Sequence, residues 1–170
     1  MPDDLGLPVD AETALAGAPP GHKDELRLWL RLLTCTNLIE AEIRRRLRLE
    51  FGTTLPRFDL LAQLDRAPGG LTLGEVSRRM MVSNGNVTGL AARLEEEGLI
   101  ERRTSPADRR AQTLRLTPRG RREFARQSRA HEGWIAELLA GLAEEERAAL
   151  HRLLGRAKAS VRAGLEGEAP

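Results

Sequence analysis

The chain has 170 residues, 41% hydrophobic and 31% charged, which suits one compact domain or two small lobes sharing a core and excludes wholesale disorder. Aromatic residues reach only 3%, with no Tyr, too few for the stacking platform of a single-strand nucleic-acid binder. Net charge is +2, but of 27 basic residues only Lys23 and Lys158 are lysine, leaving 25 Arg, the residue that forks onto phosphates and guanine edges.

Residues 1–22 hold Pro2, Pro8, Pro19 and Pro20, several glycines and no Lys or Arg, and read as a loose tail. Leu26, Leu30, Leu33, Asn37 and Ile43 fall close to helical spacing, predicting a long helix from near Asp24 that stops before Gly52. Thr54 and Pro56 suit the start of a second helix carrying Phe58, Leu61 and Leu64, closed by Pro68-Gly69-Gly70.

Thr72 and Glu75 stand three apart in a capping-box arrangement, so a short helix starts there and runs to about Met80. Ser83 is the next good N-cap. From Asn84 onward Val87, Leu90, Ala91 and Leu94 give one apolar face, and Gly98 closes that helix. Two short helices joined by a three-residue turn form a helix-turn-helix.

Past Gly98 the period changes. Leu99–Arg103 and Gln112–Leu116 read as two short strands of a hairpin whose polar tip carries Asp108, Arg109 and Arg110. Thr117 and Pro118 then cap a long helix bearing Phe124, Ile135, Leu138, Leu139 and Leu142, ending near Gly141. A last helix begins around Glu144, where three glutamates suit the positive end of the dipole, and Gly164 to Pro170 read as frayed.

The fold class expected is therefore mainly α: a winged helix-turn-helix held between long terminal helices. Between Arg78 and Ala130 the sequence has 13 Arg against 6 acids, a local excess of +7. Positive charge thus gathers on the motif that would face a nucleic acid. The second helix of such a motif enters the major groove by its first turns, here Ser83, Asn84, Asn86 and Thr88. Asn forks onto adenine, and Thr hydrogen-bonds or touches a thymine methyl. Ser83 serves as cap and phosphate contact together, and Arg93 further along is placed as a phosphate clamp. At the hairpin tip, Arg109 and Arg110 suit a narrow minor groove, while Asp108 would be repelled by phosphate and so orients a neighbouring Arg or fixes the turn. Arg102, Arg103 and Arg115 flank the ribbon.

These residues carry a resemblance. Leu71-Thr72, Glu75-Val76, Ser83, Val87-Thr88, Arg93-Leu94-Glu95, Gly98-Leu99-Ile100, Asp108-Arg109-Arg110, Leu116-Thr117 and Gly120 together resemble the MarR family of transcriptional regulators, densely over residues 71–120. The resemblance implies a homodimer on pseudo-palindromic, double-stranded operator DNA, a repressor released by a small-molecule effector. It also implies that Arg110 is the wing arginine entering the minor groove and Asp108 its acidic companion. Gly89 departs from the family, where a larger residue, often Arg, is common. Met80 to Leu90 with His131 to Ile135 is further similar to the branch controlling aromatic-acid catabolism, which implies an aromatic carboxylate or an aryl coenzyme A thioester as effector.

A lone helix-turn-helix reads only a few base pairs, so two copies about one helical turn apart (~34 Å) are needed. Leu26, Leu30, Ile135, Leu138, Leu142, Leu150, Leu153, Leu154 and Val161 on the terminal helices are the residues expected to join two subunits. An effector pocket is expected where the first, second and fifth helices meet the winged lobe, with Trp29, Phe58, Phe124, His131 and Trp134 as scarce aromatics and Arg44 or Arg48 pairing with a carboxylate or phosphate. The organisation expected is a tail over 1–22, an N-terminal dimerisation helix over 23–52, the winged helix-turn-helix over 53–120, C-terminal dimerisation helices over 121–164 and a tail over 165–170.

Cys35 alone excludes an internal disulfide or a Cys-based zinc site, and His22, His131 and His151 lack metal-ligand spacing. No cofactor and no metal are expected. Asp3 and Asp4 stand where a signal peptide needs positive charge, and no apolar run spans a bilayer, so a cytoplasmic protein without membrane contact is expected. No nucleophile triad or phosphate loop is present, so an enzyme is not expected. The alternatives are a regulator that senses oxidation through Cys35, read instead as a buried inert thiol, and a helical adaptor that binds no DNA.

Overall fold

The computed structural model describes residues 24–104 and 112–167. The expected N-terminal tail, the hairpin tip with Asp108, Arg109 and Arg110, and residues 168–170 lie outside the described residues. In order, the elements are α1 (Asp24–Phe51), α2 (Leu55–Asp65), α3 (Leu73–Met80), α4 (Asn84–Glu96), β1 (Ile100–Thr104), β2 (Gln112–Leu116), α5 (Pro118–Leu138) and α6 (Glu144–Gly167). The fold is a mainly helical winged helix-turn-helix. The chain divides into two compact units, Met1–Glu132 and Gly133–Pro170.

In the first unit each helix begins and ends on a local device. α1 opens on Asp24 and Glu25 at its positive end and stops at Gly52, whose φ of 58° lies in the left-handed region. α2 carries Pro56 in its first turn after the extended Thr54. α3 is opened by a complete capping box. Glu75 N–H donates to Thr72 Oγ1 at 3.3 Å, and Thr72 N–H donates to Glu75 Oε2 at 2.8 Å. α4 closes in a Schellman motif: Leu99 N–H reaches Leu94 O and Gly98 N–H reaches Glu95 O, both at 2.9 Å, with Gly98 at φ 69°. α5 is capped by Thr117, whose Oγ1 accepts from Gly120 N–H at 3.0 Å.

The core is formed where α2, α3, α4 and the sheet turn their apolar faces together. Leu47, Leu60, Leu61, Leu64, Val76, Val87, Ala91, Leu94, Ile100 and Leu114 are all buried. β1 and β2 pair antiparallel with Ile100 opposite Leu116 and Arg102 opposite Leu114. Leu71 adds a single antiparallel rung beside Leu114, with bonds of 2.7 and 3.1 Å. The sequence carries no local mark of that rung.

Three expectations need correction. α5 ends at Leu138, so Leu139 and Leu142 stand in the turn beyond it rather than on the helix. Past that turn, Glu146 Oε2 accepts from Ala143 N–H at 2.7 Å and caps the start of α6. α6 continues to Gly167, past the expected fraying at Gly164, because a glycine inside a helix costs only about 1 kcal/mol. Cys35 is exposed, not buried. On α1 only Ile43 and Leu47 are buried, so the helix before Ile43 has no buried face within the single chain.

Candidate functional site

The turn between α3 and α4 is tied by its cap and by hydrogen bonds between Ser77 and Val82. Met81 caps α3 in the left-handed conformation, φ 54° and ψ 40°. Val82 N–H bonds to Ser77 O at 3.2 Å, and the buried Ser77 hydroxyl donates to Val82 O. Ser77 therefore fixes the angle at which α4 leaves the turn. Sequence reasoning missed it, and its only signal was a small hydroxyl residue one position after the apolar Val76. Ser83 then caps α4 by accepting from Asn86 N–H at 3.5 Å.

Val87, Ala91 and Leu94 bury one face of α4, which leaves the opposite face outward. Asn84, Asn86, Thr88 and Arg93 are all exposed. Thr88 returns its hydroxyl to Asn84 O at 2.8 Å. The Asn84, Asn86 and Arg93 side chains make no hydrogen bond to a described residue. The first turns of α4 therefore present uncommitted amide and guanidinium groups, the kind that reads base edges and phosphates. Gly85 and Gly89 add no side chain, and an open apolar groove beside them is lined by Pro56, Met80 and Val82.

Behind this helix the wing is tied down by charge. Arg102 Nε donates to Glu95 Oε2 at 2.9 Å, joining β1 to α4, and Arg103 Nε donates to Glu101 Oε1 at 2.7 Å. Arg115 lies against the Gly70 turn, where an added Cβ would come within 2.8 Å of Arg115 Cγ.

The aromatic residues separate into those brought together and those apart. Phe58 lies 5.5 Å from Phe124 and 5.0 Å from His131, ring centroid to centroid. Beside Phe124 opens a cleft of about 350 Å³ lined also by Asp65, Ser128, Arg129 and Glu132. Burial pushes the His131 imidazole below its ordinary pKa, with Glu132 opposing, which favours the neutral ring. Trp29 is instead 56% exposed on α1. Trp134, in the second unit, is buried. Arg44 is held by Glu40 one turn before it, and Arg48 is exposed. Arg129, which sequence reasoning passed over, is the guanidinium that lines the cleft.

Among the described residues no helix is long and apolar enough to cross a membrane, and no group of three or more His, Cys, Asp and Glu is placed to hold a metal ion.

Residues 51–111 match the model of the MarR family. The transcriptional activatory protein BadR of Rhodopseudomonas palustris is 33% identical over 97 residues, covering 56% of this chain and 55% of that protein. The chain spans between 55% and 66% of the length of the first such relatives. A solved MarR family transcriptional regulator from Silicibacter pomeroyi is 33% identical with a TM-score of 0.64, covering 86% of this chain and 96% of that one. FabT of Streptococcus pneumoniae, solved in complex with DNA, is 28% identical with a TM-score of 0.69, covering 82% of this chain and 98% of that one.

Proposed function

The chain belongs to the MarR family, and from that premise we propose that it is a transcriptional regulator that binds duplex operator DNA as a homodimer and is released by a small ligand. The observation that carries the DNA reading is the outward face of α4: Asn84, Asn86 and Arg93 are exposed and uncommitted at the helix that a helix-turn-helix inserts into the major groove. The likeness to FabT, solved with DNA, supports it. In this reading Ser83, Asn84, Asn86 and Thr88 meet base edges and phosphates, Arg93 grips the backbone, and the wing sends Arg109 and Arg110 toward the minor groove with Asp108 orienting them.

Exposed apolar side chains support the dimer. Leu26 and Leu33 on α1 and Leu150, Leu153, Leu154 and Val161 on α6 are uncovered in the single chain, and α6 has no buried residue at all. Such faces are stable in water when a second copy covers them.

The effector we propose is an aromatic carboxylate or its coenzyme A thioester. Phe124, packed against Phe58 (itself against His131), lines the cleft and offers an aromatic ring an apolar contact, and Arg129 in the same cleft offers a partner for a carboxylate. A ligand releases the DNA only through its affinity difference between the bound and free forms of the protein. A difference of about 1–3 kcal/mol gives a response of tenfold scale.

The test is selection of a duplex from random DNA by the full chain, followed by anisotropy titration of the selected site. Asn86→Ala is expected to lose the preference for one or more base pairs while the fold, read by circular dichroism, is kept. Arg110→Ala is expected to weaken binding chiefly at A·T-rich flanks. Failure to select any sequence, or unchanged specificity in both variants, overturns the DNA reading. Aromatic acids and aryl thioesters are then added to the complex, and release by none of them overturns the effector class alone.

A further inference from the structure

Glu97 caps the C-terminal end of α4, and its carboxylate is taken by a residue 40 positions earlier in the chain. Arg57, in the first turn of α2, donates Nη1 to Glu97 Oε1 at 2.8 Å and Nη2 to Glu97 Oε2, a two-pronged fork. The Arg57 side chain is only 21% exposed, so water screens this pair less than one lying open on the surface. Among the described residues Arg57 makes no other side-chain hydrogen bond. Its guanidinium holds the Glu97 carboxyl below the usual glutamate range, and Arg119 acts in the same direction.

The fork is the second of two ties on this helix. At the N-terminal end Ser77 holds Val82 through both its hydroxyl and its carbonyl, which joins the entry of α4 to α3. Between the ties, Val87, Ala91 and Leu94 are buried and decide which face of α4 turns inward. Apolar burial is not directional, so it specifies the tilt of the helix weakly, whereas the fork has a fixed plane and length. The Glu97 backbone N–H also donates to Arg93 O at 3.1 Å, so the carboxylate that Arg57 holds sits in the same turn as the arginine assigned to the DNA backbone. At about 1.5 Å of rise per residue, Glu97 lies about 16 Å along the axis from Asn86, and a sideways shift at one end re-aims the side chains at the other.

Resting on the DNA reading above, we propose that Arg57 and Glu97 are positioning residues for operator recognition: their fork braces the far end of α4 against α2 and so sets the angle at which Asn84 and Asn86 meet the bases. Neither residue needs to touch DNA to do so. An acid near a DNA-binding surface ordinarily weakens the complex by repelling phosphate, and its removal then tightens binding. A brace works in the opposite sense: loss of Glu97 weakens the complex although it makes the protein more positive. Hydrogen bonds to base edges need donor and acceptor aligned, while attraction to phosphate tolerates a tilt. The loss therefore falls on the selected sequence far more than on random duplex.

The test titrates the full chain by anisotropy on the selected duplex and on random duplex, at several salt concentrations and well below Tm, with folding read by circular dichroism. Glu97→Ala and Arg57→Met, the second keeping the apolar stem, are each expected to lower the ratio of selected to random affinity by about threefold or more. Glu97→Ala is also expected to bind the selected duplex more weakly than the native chain. The double variant is expected to lose no more than the worse single variant, since the same tie is broken in each. The salt slope on the selected duplex is expected to stay native, because no phosphate contact is removed. Glu97 is exposed, so Glu97→Ala keeps the experiment decisive even where Arg57→Met fails to fold. Tighter binding by Glu97→Ala, additive losses in the double variant, a salt slope reduced by about one in Arg57→Met, or a lowered Tm with the native ratio kept would each overturn the proposal. A native chain that selects no sequence fails the DNA reading and the brace together, whereas one that selects a sequence its variants still prefer fails the brace alone.

Discussion

A β-carbon placed on Gly120 would lie 1.9 Å from the carbonyl oxygen of Leu99. The first turn of α5 thus rests directly on the backbone that enters β1. Thr117 sets the approach: its hydroxyl donates to Gly98 O at 2.7 Å, and its backbone N–H donates to Leu99 O at 3.0 Å. The obstructing atom is main chain and has no rotamer to escape into. Gly120→Ala is therefore expected to destabilise the fold by about 3 kcal/mol or more, the upper end of overpacking. Urea denaturation followed by circular dichroism measures it, and a loss well under ~1 kcal/mol would mean that α5 shifts freely away from Leu99.

Met81 carries a β-carbon in a conformation that suits glycine, φ 54°, while its side chain is 91% exposed. Removing the side chain sacrifices almost no packing and relieves left-handed strain of about 1–2 kcal/mol, partly offset by the greater freedom of glycine in the unfolded chain. Met81→Gly is expected to raise stability by up to about 1 kcal/mol. A lower Tm in that variant would show that the thioether has a partner in the assembled protein.

The capping box of α3 couples stability to acid. The Thr72 backbone N–H and hydroxyl both donate to Glu75 and hold its carboxyl below the usual glutamate range. A depressed carboxylate contributes stability that is complete above its unfolded pKa and is lost as pH falls through the folded one. Thr72→Ala is expected to cost about 1 kcal/mol at neutral pH. Its disadvantage relative to the native chain should shrink as pH drops below 4.5, the ordinary glutamate value. A penalty constant down to pH ~3 contradicts the coupling.

His131 acts near neutrality. Burial beside Phe58 lowers its pKa from 6.5, so the unfolded chain takes up a proton first as acid is added. Stability conferred by the neutral ring is complete above 6.5 and declines as pH falls toward the folded value. His131→Phe is expected to flatten the pH dependence of stability as pH falls below 6.5, the ordinary imidazole value. An unchanged slope would place its origin elsewhere.

The parts of the fold that were legible in the sequence are those specified by residues within a few positions of one another. Thr72 with Glu75, Ser83 before Asn84, Gly98 after α4, and Thr117 before Pro118 each mark a boundary by their own chemistry, and the structure uses all four. What was hidden depends on distant partners. The rung between Leu71 and Leu114 joins residues 43 positions apart by backbone bonds that no side chain announces. The end of α5 at Leu138 is not marked locally, since the apolar spacing through Leu142 fits a longer helix equally well, and the start of α6 rests on Glu146 three residues past Ala143. The exposed side chains of α4 followed from its buried face once the period was known. The burial of Gln127, 3% exposed, did not, because a glutamine on a helix looks like a solvent-facing residue in the sequence.

The ion pair between Arg102 and Glu95 also limits what the arginine-rich composition can contribute. An arginine already neutralised within the chain displaces no condensed cation from a phosphate backbone. Arg102, Arg103 and Arg126 are committed in this way to Glu95, Glu101 and Glu123. On duplex DNA the ionic-strength dependence of affinity should therefore reflect only the remaining, unengaged guanidinium groups and be shallower than a count of the basic residues suggests.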